Sequence, residues 1–454
     1  MLKSINPFNY SLIKEYDEYT DEQVKQILNN VNAAYKVWKT TGFTERKEKL
    51  KKAAQILRDK KETYALLMTQ EMGKPITQAK AEVEKCARVC DYYAEGAEKF
   101  LRDEHFNTEA SKSYVTYQPI GVVLAVMPWN FPFWQVFRFA APNLMAGNAG
   151  ALKHSSNVTG CALAIEAIFQ EAGFPENIFR TLVIGSAKVN AVIENPIIKA
   201  VTLTGSTPAG KAVAAAAGGA LKKTVLELGG SDPYIILDDA DLDTAVPACI
   251  EARFLNGGQS CIAAKRFIVV ESIYEEFVKR FIDLANAKIM GDPQNEKTYI
   301  GPQSRKELRD ELHLQVLKSA ELGAKLLLGG VIPEGPGAFY PATVLTDVKK
   351  GMPAYNEELF GPVAAIIKVK NEEEAIKVAN DTVFGLGGAV FTKDSARGEL
   401  IAKEKIQAGS CFVNDYVKSD PRLPFGGIKE SGYGRELAPF GIKEFVNIKT
   451  VVVK

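Results

Sequence analysis

Tyr114-Val115-Thr116-Tyr117-Gln118-Pro119 and, after Ile120, Gly121-Val122-Val123-Leu124-Ala125-Val126 mark the point where the chain changes texture. The first run reads as an extended strand and the second as a buried strand ending at the Pro128 loop. Upstream, Thr20-Asp21-Glu22-Gln23 is a capping box, and Val24, Ile27, Leu28, Val31, Tyr35 and Trp38 recur at helical spacing. Helices are predicted from there to about residue 101. Downstream, short apolar runs at 149–153, 181–185, 200–205 and 224–228 alternate with helical stretches at 161–173 and 187–194, which predicts a parallel, helix-covered sheet. A second series at 233–237, 266–270, 325–328, 364–369 and 410–413 predicts a second α/β domain. The strand-like end 445–453 would leave an apolar edge unpaired, and another subunit is its expected cover.

The chain has 454 residues, 46% of them apolar, which is more than one hydrophobic core usually organises and predicts two or three domains. Lys and Arg number 56 against 55 Asp and Glu, so no global field favours nucleic acid or an anionic membrane. No apolar run approaches the ~18 residues of a spanning helix, and Met1-Leu2-Lys3-Ser4-Ile5-Asn6-Pro7 does not resemble a signal peptide. A cytoplasmic protein is expected. The six cysteines do not form a disulfide framework, and Cys86 and Cys90, one helical turn apart with no His or second Cys pair nearby, read as helix packing rather than metal ligands.

Three segments carry chemistry. Cys261 lies in Asn256-Gly257-Gly258-Gln259-Ser260-Cys261-Ile262-Ala263, where small neighbours let a substrate approach a thiol. Met127-Pro128-Trp129-Asn130-Phe131-Pro132 offers a side-chain amide on a stiff loop, and Leu226-Glu227-Leu228-Gly229-Gly230 a carboxylate beside flexible backbone. No GxGxxG follows the first strand. In its place, Thr202-Leu203-Thr204-Gly205-Ser206-Thr207-Pro208-Ala209-Gly210 sits at a strand-to-helix junction, where backbone amides and the helix dipole suit a pyrophosphate. A cofactor-free cysteine hydrolase would need a base such as histidine, yet His105, His154 and His313 all lie outside these segments. A non-catalytic protein on a borrowed fold would be expected to lack one of Cys261, Glu227 or Asn130.

MPWNFP, TGSTPAG, ELGGSDP, NGGQSCIA, EELFGPV and LPFGGIKESGYGRE, in this order, resemble the aldehyde dehydrogenase superfamily over nearly the whole chain. The resemblance implies two doubly wound α/β domains and a small oligomerisation region. It puts a dinucleotide-binding domain at 1–111 and 123–229, a catalytic domain at 230–429, and the oligomerisation region at 112–122 and 440–454 of a homodimer or homotetramer. It implies that Cys261 adds to an aldehyde, that Asn130 and the Cys261 amide hold the oxyanion, and that Glu227 activates water against the thioester. A glutamate at 227 favours hydrolysis over transfer to coenzyme A.

The cofactor implied is NAD or NADP, with Glu358 and Phe360 at the nicotinamide ribose and ring. Met127, Trp129, Gly185, Gly205, Ser206 and Leu228 line the rest. Lys153 matches the residue at the adenosine ribose, and Ser156 stands where many NAD-specific relatives carry an acid, which leaves NADP admissible. For the substrate, Arg138 and Ser419 match residues that members oxidising succinate semialdehyde use for its distal carboxylate. Leu255 replaces a second arginine of some such members, and Arg422, near Phe425, is expected to compensate. Glutarate semialdehyde or a small neutral aldehyde is the alternative substrate. Ile262 and Ala263 exclude a disulfide between Cys261 and the residues just beyond it.

Overall fold

The computed structural model describes residues 1–454 and contains two large twisted sheets. The first has six strands in the spatial order Gly432–Tyr433, Lys223–Glu227, Ile198–Thr204, Val122–Met127, Ala149–His154 and Phe179–Thr181. All neighbours run parallel except Gly432–Tyr433, which lies antiparallel to Lys223–Glu227. The chain builds outward from Val122–Met127 to one side, then crosses back to lay Ile198–Thr204 on the other. That reversal is a topological switch point, and the crevice beyond the carboxyl ends of its two strands, at Met127 and Thr204, is where open α/β sheets bind ligands.

The second sheet orders seven strands as Lys325–Leu328, Thr343–Thr346, Val363–Val369, Ala264–Val270, Asp232–Ile236, Gly387–Phe391 and Ser410–Val413, with only the first antiparallel. Successive side chains of its central strands enter opposite cores, as a two-residue period requires. Tyr234, Ile236, Phe267 and Val269 face one, and Ile235, Leu237, Ile268 and Val270 the other.

Several predicted elements change. The 181–185 run is strand only at Phe179–Thr181, and the chain then turns toward Gly185. Thr343–Thr346 and Gly387–Phe391 were not legible as strands: the first is four residues long, and the second opens on a glycine pair that weakens strand propensity. Gly387 is needed there, since a Cβ would stand 2.3 Å from Asp232 Oδ2. The C-terminal strand Val446–Val453 does not wait for another subunit to cover it. It pairs in register with Lys112–Pro119, in a three-stranded sheet completed by Glu104–Phe106, and leaves only its outer edge open.

The helical region 21–100 contains the predicted capping box at Thr20 and ends in the helix Ile76–Phe100, where Cys86 and Cys90 are fully buried. No helix is long and apolar enough to cross a membrane. Ile76–Phe100 also fixes the Asn130 loop. The buried Glu82 carboxylate accepts from the Phe133 and Trp134 amides at 3.0 and 2.9 Å, capping the helix Trp134–Met145, and pairs with the buried Lys74 ammonium. Lys74 in turn sits 3.8 Å from the Phe131 ring centroid.

Removing one partner of such a pair strands a charge in low dielectric. Glu82→Ala is therefore expected to cost about 3–5 kcal/mol of stability. Urea unfolding followed by circular dichroism checks this, and an unchanged midpoint would contradict it.

Candidate active site

After the helix Leu242–Phe254 the chain makes a tight left-handed turn, with φ of 57° at Asn256, 60° at Gly257 and 73° at Gly258. A Cβ on Gly258 would stand 2.3 Å from the Gly361 carbonyl oxygen, so only glycine fits. Asn256 tolerates this conformation and uses its amide productively. Its Nδ2 donates to the carbonyls of Asn130 at 2.8 Å and Gln259 at 3.1 Å. The Asn130 Nδ2 donates to that same Gln259 carbonyl at 3.1 Å. The loop from the first sheet and the loop bearing the thiol are thus tied together, and the Cys261 backbone amide finds no acceptor in the protein. Asn130 and that amide are the donors an oxyanion would need.

Cys261 is half-buried, and burial pushes its thiol up to about 12 against the opposing charges of Lys265 and Arg138. The resting sulfur is protonated. Lys265, fully buried and not singled out from the sequence, donates to the Ser260 carbonyl at 2.8 Å and the Cys261 carbonyl at 2.5 Å, and pairs with Glu358 at 3.3 Å. Glu358 also accepts from the Gly230 amide at 3.1 Å, and a Cβ on Gly229 would stand 2.5 Å from its Oε2. One buried ammonium therefore braces both the loop bearing Cys261 and the carboxylate across the crevice.

Glu227 ends its strand with both carboxylate oxygens buried and without a hydrogen-bond partner. Burial and the neighbouring Glu436 raise it well above the carboxylate range, while Arg138 and Arg435 oppose the shift. No hydrogen bond joins Glu227 to Cys261. An unsatisfied buried carboxyl is costly to fold around, and such groups concentrate where a proton is to be moved.

Cys261 opens into a cavity of about 180 Å³. Its sides are apolar, from Phe131, Trp134, Leu255, Ile262 and Phe425, and Arg138, Lys85, Lys418 and Ser419 add polar groups. Arg138 does reach the cavity, stacked 4.8 Å from the Phe425 ring centroid, but it is also salt-bridged to Glu436 and donates to Thr204 Oγ1 at 3.3 Å. Arg422 does not reach it. Its guanidinium is exposed in an outer groove and committed to Asp420 through contacts of 2.8 and 2.6 Å, so it cannot serve as the second arginine expected from the sequence.

The switch-point crevice holds the remaining residues. Met127 is buried at the strand end, and the Trp129 and Phe360 rings meet edge to face at 5.7 Å. Ser206 caps the 13-residue helix Thr207–Gly219 without a side-chain bond, and the amides of Ser206, Thr207 and Ala209 find no acceptor. Gly205 donates to the Glu227 carbonyl at 2.9 Å, and Leu228 packs on Gly210, where a Cβ would be 2.5 Å away. Lys153 is buried at its strand end and makes no ion pair or hydrogen bond, with Ser156 in the short helical turn that follows. The Gly185 amide is engaged by Glu18 at 2.8 Å. Free helix-terminal amides and an unpaired buried ammonium fit an anionic dinucleotide.

A thiol beside amide donors, set against a crevice with free helix-terminal amides, is the arrangement an oxidoreductase working through a covalent sulfur adduct would need. Residues 1–451 match the aldehyde dehydrogenase family, and the chain belongs to that family. Among its relatives, a probable NADP+-dependent succinate-semialdehyde dehydrogenase of Synechocystis sp. is 50% identical over 99% of both chains. The Escherichia coli succinate semialdehyde dehydrogenase [NAD(P)+] Sad is 46% identical over 99% of this chain and 97% of that one. The crystal structure of succinic semialdehyde dehydrogenase from Streptococcus pyogenes with NADP+ superposes with a TM-score of 0.98 at 39% identity, covering 100% of both chains.

Because burial holds Cys261 as the thiol, alkylation of the cofactor-free protein by iodoacetamide should rise about tenfold per pH unit across pH 7–10. Peptide mass spectrometry reads the rate. A plateau reached below pH 9 would show that the thiolate is already formed.

Proposed function

We propose that this chain oxidises succinate semialdehyde to succinate with NADP+ or NAD+. The observation that carries the reading is the cavity itself: a short apolar sleeve with the Cys261 sulfur and with cations and a hydroxyl on its wall. A four-carbon chain bearing a carboxylate suits that lining. The relatives' cofactors and the absence of an acid at Ser156 support acceptance of the 2′-phosphate. We propose for the unassigned parts the division read from the sequence, with dinucleotide binding in 1–111 and 123–229 and catalysis in 230–429. The same reading makes the protein a cytoplasmic homodimer or homotetramer. Six free cysteines suit a reducing compartment, and the exposed Ile448 and Val452 on the open edge of Val446–Val453 suit a second copy.

The Cys261 thiol releases its proton to solvent and its sulfur adds to the aldehyde carbon to form a thiohemiacetal. Asn130 Nδ2 and the Cys261 amide hold the oxygen that becomes negative. A nicotinamide bound with Glu358 at its ribose would supply the acceptor for the hydride that leaves this carbon as it becomes a thioester. What remains on Cys261 is a thioester. Glu227 then takes a proton from water, the hydroxide adds to the acyl carbon, and the carbon–sulfur bond breaks to release the acid. A carboxyl whose pKa is raised is a strong base once ionised, which suits Glu227 to this step.

Cys261→Ala should abolish growth of reduced-nicotinamide absorbance with succinate semialdehyde. Glu227→Gln should keep a first-turnover burst while steady turnover falls roughly a hundredfold to ten-thousandfold. Stopped-flow absorbance separates the two phases, and mass spectrometry of the trapped Glu227→Gln protein should find the acyl group on Cys261. Loss of burst and turnover together would remove Glu227 from the hydrolytic step.

A further inference from the structure

Three cations line the cavity, and two are already committed to carboxylates. Arg138 pairs with Glu436, and Lys418 pairs with Asp415 at 2.6 Å. Lys85 has no acidic partner. Its Nζ donates to Ser419 Oγ at 2.7 Å and stands 4.2 Å from the Trp134 ring centroid. Leu255 adds only hydrocarbon to the wall.

The position of Lys85 is not accidental to the fold. It lies on the helix Ile76–Phe100, one turn beyond Glu82, whose carboxylate grips the start of the helix carrying Trp134. The ammonium, the indole face beneath it and the Ser419 hydroxyl are therefore held as a unit. Lys85 and Ser419 also border the outer groove, which holds Arg88 and the Arg422–Asp420 pair, so the unit stands where the groove meets the cavity.

We propose that Lys85 is a specificity-determining residue, its ammonium and the Ser419 hydroxyl together receiving the distal carboxylate of the aldehyde. The inference rests on the substrate reading above and names the group that enforces it. Burial, with Arg138 nearby, lowers Lys85 to about 8, and a carboxylate docking against it would stabilise the charged form that burial disfavours. Arg138 then acts mainly through its bond to Glu436, shaping the wall on the Phe425 side.

The test compares kcat/KM for succinate semialdehyde with that for butanal, its uncharged four-carbon counterpart, in the full-length protein. The wild type should prefer the charged aldehyde. Lys85→Met should lower that preference by about tenfold to a hundredfold, mostly through KM, as expected for loss of a charge-assisted hydrogen bond. Lys85→Arg should restore most of it. Lys85→Gln, which removes the charge but keeps a hydrogen-bond donor on a side chain one bond shorter, serves if the Met variant does not fold. A preference within twofold of wild type in the Met or Gln variant overturns the role of Lys85. No preference in the wild type overturns the substrate reading instead, and the inference with it.

Discussion

The site depends on two side-chain amides that stitch together loops from different sheets. Asn256 donates to the Asn130 carbonyl, and Asn130 donates to the Gln259 carbonyl. Neither loop could hold its geometry alone. The Asn256–Gly258 turn sits in left-handed backbone, and the Asn130 loop is irregular chain between a strand and a helix. Behind the stitch stands the Lys74–Glu82 pair, which turns the first exposed amides of the Trp134–Met145 helix into fixed hydrogen bonds. Oxyanion stabilisation needs donors already in place before charge develops, and this arrangement supplies that rigidity.

Part of the buried charge around the thiol is paired. Lys265 braces Glu358, and Arg138 meets Glu436. Glu227 has no hydrogen-bond partner, and the surrounding carboxyl and guanidinium groups pull its protonation in opposite directions. A buried carboxyl without a hydrogen-bond partner costs stability, and such groups concentrate where protons are moved.

The alternating texture from residue 114 onward made the two parallel sheets legible, because buried strands and helices leave different periods in the sequence. The Cys261, Asn130 and Glu227 segments were legible for a related reason: glycines and prolines mark chain that must take an unusual path. Lys85, Lys265 and Glu82 were not. Each is an ordinary charged residue on a helix or strand, and its meaning lies in a partner brought near by the fold. Arg422 shows the opposite error. Its closeness in sequence to Phe425 suggested the cavity, but Asp420, two residues earlier, claims the guanidinium and keeps it outside.

The two-residue strand Gly432–Tyr433 lies beside Lys223–Glu227, about two hundred positions earlier in the chain, and Gly432, with φ of 108°, comes so near Leu226 that no side chain fits between them. The edge next to Glu227 is therefore sealed by residues that follow it in the chain by about two hundred positions. Until they emerge, the nascent chain must carry an open sheet border, and long-range closure of this kind is slow. Maturation of the crevice thus waits on a segment synthesised long after the strand it closes.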